Sequence, residues 1–379
     1  MRVALVHDWL VAQRGGENVL LELARALPGA PIFTLVHRPG AVDAELERHP
    51  IVTSFVQGLP GAPRRFRQYL PLFPAAVARW DLSPFDLVIS SSHCVAQGVR
   101  TSARQFHLAY VHTPMRYLYD QLPHYVPTWP SKGLWVGAAR LASAPLRHWD
   151  VQSATRADVL VANSDYVARR IARVWGRQAQ VVYPPVDVDF FAAVLERARH
   201  GLLVVSALVP YKRVDLAVQF ATRHGLPLTV VGEGPERGRL RALAGATVQF
   251  VPTLSRSELR DAYAGAEALL FCGVEDFGMV PVEAMASGCP VLAFADGGAL
   301  ETVVDADNEA AATGVLFAEP TLSALERGWR RLRARAEAGG FRGETLRAHA
   351  ARFGRRQFLS RLDELLRQHS VQGVQLLQG

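Results

Sequence analysis

The stretch Glu275-Asp-Phe-Gly-Met-Val-Pro-Val-Glu283 carries two glutamates with seven residues between them, a glycine, and a proline placed to open a helix. A strand-like run ends near Phe271, a loop follows, and a helix is predicted to start near Pro281 and be capped by Gly288. The N-terminus of such a helix offers free N–H groups and the positive end of the dipole, which suits a diphosphate. Gly278 lets the backbone come close to a ligand. Glu283, predicted in the first turn, can accept hydrogen bonds from ribose hydroxyls, and Glu275 can accept them from a hexose. The same spacing also fits a Glu283 that merely caps the helix and a Glu275 that is a solvated loop charge.

Lys212 is a second candidate on independent grounds. The chain has 40 arginines and only two lysines, Lys132 and Lys212. A lysine kept after a strand and a Val-Pro-Tyr turn suggests a compact ammonium acting as a point charge on phosphate, or a surface lysine retained by chance. His112 ends the predicted strand His107–Val111, where open α/β sheets bring ligand groups to the carboxyl edge, or where a histidine simply bonds a loop carbonyl. Arg116, four residues on, suits either a phosphate or solvent.

Other strings carry less. Cys94, Cys272 and Cys289 are far apart in apolar or small-residue surroundings, so neither a disulfide framework nor a zinc site follows. Asp187-Val-Asp189 spells an acid-x-acid pattern suited to a metal, but it follows Pro184-Pro185 instead of ending a strand. Gly232-Glu-Gly-Pro lacks the full dinucleotide-binding glycine fingerprint.

The elements that must position these residues alternate between strand and helix. Strands are predicted at Val3–Val6, Ile32–Leu35, Leu87–Ser90, His107–Val111, Val159–Ala162 and Val181–Tyr183. After the prolines they resume at Leu202–Ser206, Leu228–Val231, Val248–Val251, Ala268–Phe271 and Val291–Ala295. This is the pattern of an α/β protein with two Rossmann-like domains, residues 1–185 and 186–350. A C-terminal amphipathic helix follows over 351–369, then a frayed tail over 370–379. At 379 residues the chain is long enough for two cores.

Charge is uneven: residues 1–184 hold 20 Lys and Arg against 12 Asp and Glu, and the remainder 22 against 23. A basic first half suggests an anionic partner, and without nucleic-acid-binding signatures a membrane surface or phosphorylated acceptor is favoured over nucleic acid. Within it, Gly58–Asp81 mixes Arg64, Arg65, Arg67 and Arg79 with Leu59, Phe66, Tyr69, Leu70, Leu72, Phe73 and Trp80. It reads as a surface for acidic lipid or as a packed loop-helix subdomain. The N-terminus reads as a buried strand because His7 and Asp8 interrupt its apolar run, so a cytoplasmic chain is expected, with peripheral contact at the inner membrane face.

Taken in order, these segments resemble the retaining family-4 glycosyltransferases. The match is carried by Gly15-Gly16-Glu17, Val230-Val-Gly-Glu-Gly-Pro-Glu236, the Glu275–Glu283 stretch, Gly297-Gly298-Ala-Leu-Glu301 and Thr313-Gly314-Val-Leu-Phe317. It is similar in particular to the mannosyltransferase-like branch of bacterial surface-polysaccharide assembly. That likeness rests on Val6-His-Asp-Trp-Leu10, Tyr110-Val-His-Thr-Pro-Met-Arg-Tyr117, Ala162-Asn-Ser164, Val182-Tyr-Pro-Pro-Val-Asp187 and Val209-Pro-Tyr-Lys-Arg-Val-Asp215.

The resemblance implies a GT-B fold whose two domains face each other across a cleft, with the C-terminal helix packing back toward the first. It implies a nucleoside diphosphate sugar such as GDP-mannose as donor, a glycan or lipid-linked acceptor, no cofactor and no metal. Lys212 would bind the diphosphate, Glu275 and His112 the sugar, and Glu283 the ribose. Phe277, Gly278, Met279 and Val280 would line the donor, and Gly15 and Gly16 would approach its phosphates.

The family commonly has an arginine five residues before the lysine, where this chain has Ala207, so phosphate charge would fall on Lys212 with Arg213 or another arginine. Glu275 is expected to orient the donor without attacking it. The competing readings are a nucleotide-sugar oxidoreductase or epimerase and a non-catalytic sugar-nucleotide-binding homologue.

Overall fold

The computed structural model describes residues 1–119, 143–194, 198–308, 310–371 and 373–377; Lys132 lies outside them. The chain forms two compact units, residues 1–183 with 358–379, and residues 184–357.

The first unit is built on seven parallel strands: β1 (Val3–His7), β2 (Ile32–Thr34), β3 (Ile51–Thr53), β4 (Leu87–Ser92), β5 (Phe106–Val111), β6 (Val159–Ala162) and β7 (Gln180–Val181). They lie in the order β3-β2-β1-β4-β5-β6-β7. β1, β4 and β5 are buried along almost their whole length, as parallel strands covered on both faces must be, and β4 ends on three buried serines. The helix Gly15–Ala26 buries Val19, Leu20 and Leu23 at helical spacing. The helix Arg355–Gln368 adds Phe358, Leu362, Leu365 and Leu366 to the same core, and the Phe358 ring lies 5.7 Å from that of Tyr110.

The frayed tail expected over 370–379 is corrected for its described residues 373–377. The Asp363 carboxylate accepts the backbone N–H groups of Leu376 at 2.7 Å and Leu377 at 2.8 Å, and Leu376 is buried in the core. One carboxylate and one leucine are enough to dock a segment whose composition looks unstructured. Two strands were not predicted: β3, a run of only three residues, and Gly314–Phe317, which the sequence offered only as a motif.

The second unit has six parallel strands: β8 (Leu202–Val205), β9 (Leu228–Val231), β10 (Val248–Val251), β11 (Ala268–Phe271), β12 (Val291–Phe294) and β13 (Gly314–Phe317). Their order is β10-β9-β8-β11-β12-β13. Both sheets are therefore doubly wound, and the winding reverses between β1 and β4 in the first and between β8 and β11 in the second. Ligand crevices open at the carboxyl ends of such strand pairs, because the connections leave the sheet in opposite directions there.

In the first unit that crevice is closed underneath by one buried carboxylate. Asp8, the residue after β1, accepts the backbone N–H groups of His93 (2.7 Å), Cys94 (3.0 Å), Val95 (2.7 Å) and Ala96 (2.9 Å). These follow β4, so one side chain fixes the two strand ends to each other. Asp8→Ala leaves four amides without their acceptor and should cost on the order of 3 kcal/mol or more. Urea unfolding checks this; a loss below about 1 kcal/mol would show that Asp8 does not hold the strand ends.

Candidate functional site

In the second unit the chain leaves β8 through Ser206–Val209, makes a single tight turn over Pro210–Lys212, and enters the helix Val214–His224. Gly273, just beyond β11, presses against that turn: a Cβ there would lie 2.6 Å from the Lys212 Cα. This close approach sets the Lys212 side chain beside the next loop, where its ammonium pairs with the Glu275 carboxylate. Both side chains are only partly exposed, and with Ser206, Cys272 and Gly273 they line a shallow depression at the β8/β11 switch point.

Glycines also set the loop that carries Glu275. Gly297 has φ of +64°, and a Cβ on it would sit 2.3 Å from the Glu275 carbonyl oxygen. A Cβ on Gly298 would sit 2.1 Å from the Phe277 carbonyl oxygen, and its N–H donates to the Glu275 carbonyl at 2.8 Å. The glycine pair is thus a floor on which the Glu275–Phe277 backbone rests. Gly278, with φ of +87°, turns the chain into the helix Met279–Ala286.

That helix begins two residues before Pro281, so Glu283 falls in its second turn and not, as expected, in the first. The left-handed Gly278 starts the helix earlier than the proline signals. The exposed N-terminal amides are those around Met279 and Val280, which are partly exposed, whereas Phe277 turns inward against Phe353, ring centres 5.5 Å apart. Glu283 accepts a hydrogen bond from the buried Tyr263 hydroxyl at 2.9 Å. Burial raises its pKa, and the Tyr263 hydrogen bond and the charge of Arg256 only partly offset that.

Arg213 adopts the left-handed conformation (φ 49°), and its guanidinium is held by Asp215 at 3.1 Å and reaches the Pro320 carbonyl at 3.5 Å. It is therefore tied to its own helix start. Asp187 caps the helix Val188–Ala192 and pairs with Arg256 at 2.6 Å, which gives the acid-x-acid string a structural use. Gly232 and Gly234 brace the turn after β8: a Cβ on Gly232 would meet the Ser206 carbonyl oxygen at 1.9 Å. All three cysteines are buried, and burial pushes the Cys272 and Cys289 thiols up to about 12.

In the first unit the β1/β4 switch point gathers His7, Glu17, Ser91, His93 and His112. The Ser91 hydroxyl is 3.1 Å from His7 Nδ1 and 2.8 Å from His112 Nε2. His7 Nε2 faces the Glu17 carboxylate at 3.7 Å. Gly16 covers them, since a Cβ on it would lie 3.5 Å from His112 Nε2 and 3.6 Å from His7 Cε1; Gly15 opens the same helix. Burial pushes the His112 pKa well below the ordinary imidazole value, helped by nearby His93 and His7. The sequence singled out Gly15, Gly16 and His112 but not His7, Ser91 or Glu17 as a group. Their proximity comes from strand register, His7 beside Ser91 and Ser91 beside Tyr110.

This fold is GT-B: two parallel-sheet, Rossmann-like α/β halves. It is matched by HepE from Anabaena, solved in complex with UDP (TM-score 0.69, 18% identity, 97% of this chain and all of that one). Sucrose-phosphate synthase from Thermosynechococcus elongatus also matches (TM-score 0.71, 18% identity, 98% of this chain and all of that one). Residues 13–190 match the family described as Glycosyltransferase Family 4, and residues 188–337 the family described as Glycosyl transferases group 1. With the fold, the two matches support a family-4 glycosyltransferase. A D-inositol 3-phosphate glycosyltransferase from Mycobacterium leprae is 31% identical over 41% of this chain and 43% of that protein. This chain thus matches less than half the length of that relative.

Two outcomes test the geometry. Gly298→Ala drives a methyl into the Phe277 carbonyl and should cost about 1–3 kcal/mol in urea unfolding, with an unchanged midpoint contradicting the floor role. Tyr263→Phe removes the hydrogen bond that lowers the Glu283 pKa, so that pKa should rise further. The carboxyl signal followed by NMR against pH reads this, and an unchanged or lower midpoint would contradict it.

Proposed function

We propose that the protein transfers a hexose from a nucleoside diphosphate sugar to a hydroxyl of a glycan or lipid-linked acceptor, with retention at the anomeric carbon. The observation that carries this reading is the convergence of Lys212, Glu275 and the Gly278-led helix start at the β8/β11 switch point. Breaking the glycosyl–phosphate bond leaves negative charge on the diphosphate. Lys212 supplies a point charge for it, and the N–H groups at Met279 and Val280 supply oriented dipoles. This arrangement asks for no metal.

In the free protein Glu275 neutralises Lys212, so an incoming diphosphate competes for the ammonium and frees the carboxylate to accept sugar hydroxyls. Glu283, anchored by Tyr263, takes the ribose. Arg213 is engaged by Asp215, so with Ala207 in place of the family arginine the main charge falls on Lys212 and the helix. His112, with Gly15 and Gly16 beside it, meets the transferred sugar or acceptor.

Mannose, carried by GDP, is the donor favoured by the likeness to surface-polysaccharide enzymes. UDP-glucose is the alternative, since HepE has been solved with it. A panel of nucleotide sugars read by thermal shift separates them: a donor at a hundred times its dissociation constant adds about 2.7 kcal/mol to folding. Lys212→Ala should lower turnover on the responding donor by about 100-fold or more. Near-normal turnover in that variant would remove Lys212 from the diphosphate site.

The acceptor reading includes peripheral contact with anionic lipid. No helix among the described residues is long and apolar enough to cross a membrane. In Gly58–Asp81, Phe66 and Phe73 are buried, while Arg64, Arg65, Arg67 and Leu72 are exposed. A contact made mainly by arginines is electrostatic, so binding to phosphatidylserine vesicles should be present at low salt and fall sharply at physiological salt. Absence of binding at low salt would end the proposal.

A further inference from the structure

Trp9 follows the floor residue Asp8 and stands, partly exposed, at the carboxyl edge of β1. Its ring meets that of His93, which directly follows β4, at 4.4 Å and nearly at right angles. The buried Phe66 ring lies 4.8 Å from it on another side. One charge rests on this aromatic surface. The Arg67 guanidinium carbon is 4.8 Å from the Phe66 ring centre and 5.7 Å from that of Trp9. Its field reaches the strand ends: burial holds His93 below the ordinary imidazole value, and the Arg67 charge adds to that against the opposing pull of Asp8. Arg67, carried by the short helix Phe66–Leu72, therefore belongs to the β1/β4 switch-point crevice.

What Arg67 lacks is a counter-ion. Among the described residues it makes no ion pair and no hydrogen bond. Its own stretch cannot supply one, since the chain has no Asp or Glu between Glu47 and Asp81. Those two are engaged, Glu47 by His37 and the Gly40 N–H at 3.0 Å each, and Asp81 by the Ser83 N–H at 3.0 Å. In the crevice, Asp8 takes four backbone amides and faces His93 at 3.3 Å, and Glu17 faces His7 at 3.7 Å. A guanidinium held by aromatic faces keeps its fork of N–H donors available, and that fork fits a phosphate through two parallel hydrogen bonds. Arg64 and Arg65, on the preceding helix Ala62–Arg65, are exposed and lie over no ring among the described residues.

We propose that Arg67, seated on Trp9 and Phe66 at the β1/β4 crevice, binds a phosphate group of the acceptor, at a site separate from the donor diphosphate site at Lys212. A carboxylate, with one charge, would gain little from a single exposed guanidinium. A phosphate monoester carries nearly two charges at neutral pH and gains more. The partly exposed indole beside it offers apolar surface to the sugar that carries the phosphate. The proposal rests on the transferase reading and narrows its acceptor to one bearing phosphate, as a glycosyl phosphate or diphosphate does. It also divides the arginines of this stretch, Arg67 for the acceptor and Arg64 with Arg65 for an anionic lipid surface.

Indole 15N–1H correlation spectra of the intact protein, with the Trp9 signal assigned by Trp9→Phe, read the site without a donor. Titration with glucose 1-phosphate should shift that signal saturably. Glucose should leave it in place, and glucuronic acid should bind about tenfold more weakly or worse. Arg67→Gln should weaken glucose 1-phosphate about tenfold or more, as loss of charge-assisted hydrogen bonds implies, with Arg67→Lys in between. Lys212→Ala should not alter the Trp9 titration. Neither should Arg64→Gln combined with Arg65→Gln, although that double variant should bind phosphatidylserine vesicles more weakly, which separates an acceptor phosphate from a lipid headgroup. A Trp9 signal that glucose 1-phosphate never moves would overturn the proposal. So would an undiminished shift in Arg67→Gln with native circular dichroism, an equal loss in the double variant, or equal binding of glucuronic acid. If the site binds as stated but no nucleotide sugar is consumed, the phosphate site stands and the transferase reading falls. If turnover is present and the Trp9 titration fails, the reverse holds.

Discussion

The reversal of winding at the centre of each parallel sheet is the constraint on which the rest depends. Where helices depart to opposite faces, the ends of two adjacent strands are left uncovered, and backbone amides and polar side chains collect there with few neighbours to satisfy them. Each unit resolves this differently. The first closes the floor with Asp8, which takes four amides, and stacks a histidine–serine–histidine chain above it. The second pairs Lys212 with Glu275 and leaves a helix start nearby. The first leaves His7 Nε2 without a hydrogen bond, 3.7 Å from the Glu17 carboxylate. In the second, an ion pair on partly exposed side chains is weak enough for a more highly charged ligand to displace it.

Glycine is what brings these groups close. Gly273 lets β11 lie against the Lys212 turn, Gly297 and Gly298 support the Glu275 loop, and Gly16 lies over the two imidazoles. At none of these positions does glycine supply chemistry; at Gly273, Gly297 and Gly298 a methyl group would push against the backbone that carries Lys212, Glu275 or Phe277. A helix or strand interior tolerates such crowding by small shifts, but a site that must be accurate to a fraction of an ångström does not.

Much of the fold was legible because buried parallel strands leave continuous apolar runs: Val3–Val6, Val159–Ala162 and Leu228–Val231 carry their own signature. β3 and β13 were not: both are edge strands, and neither Ile-Val-Thr nor Gly-Val-Leu-Phe stands out as a buried run. The docked end was missed since its anchor, Asp363, lies on the preceding helix. Of the site, Lys212, Glu275 and Gly278 stood out by type and order along the chain. The Lys212–Glu275 pair, the Tyr263–Glu283 hydrogen bond and the Glu17–His7–Ser91–His112 chain did not, since they join residues 10 to 84 positions apart through strand register and loop placement. The start of the helix at Met279 was set by the φ of one glycine, which proline statistics do not reveal.

The central claim is that a nucleoside diphosphate hexose is cleaved here and its sugar passed on with unchanged anomeric configuration. A 1H NMR time course of the anomeric proton answers it, with GDP-mannose or UDP-glucose and a bacterial glycolipid extract as acceptor. The account predicts that the donor doublet declines, nucleoside diphosphate is released in step, and a new anomeric signal of the same configuration appears. A product of opposite configuration, or a donor signal that stays constant with every nucleotide sugar, would contradict it.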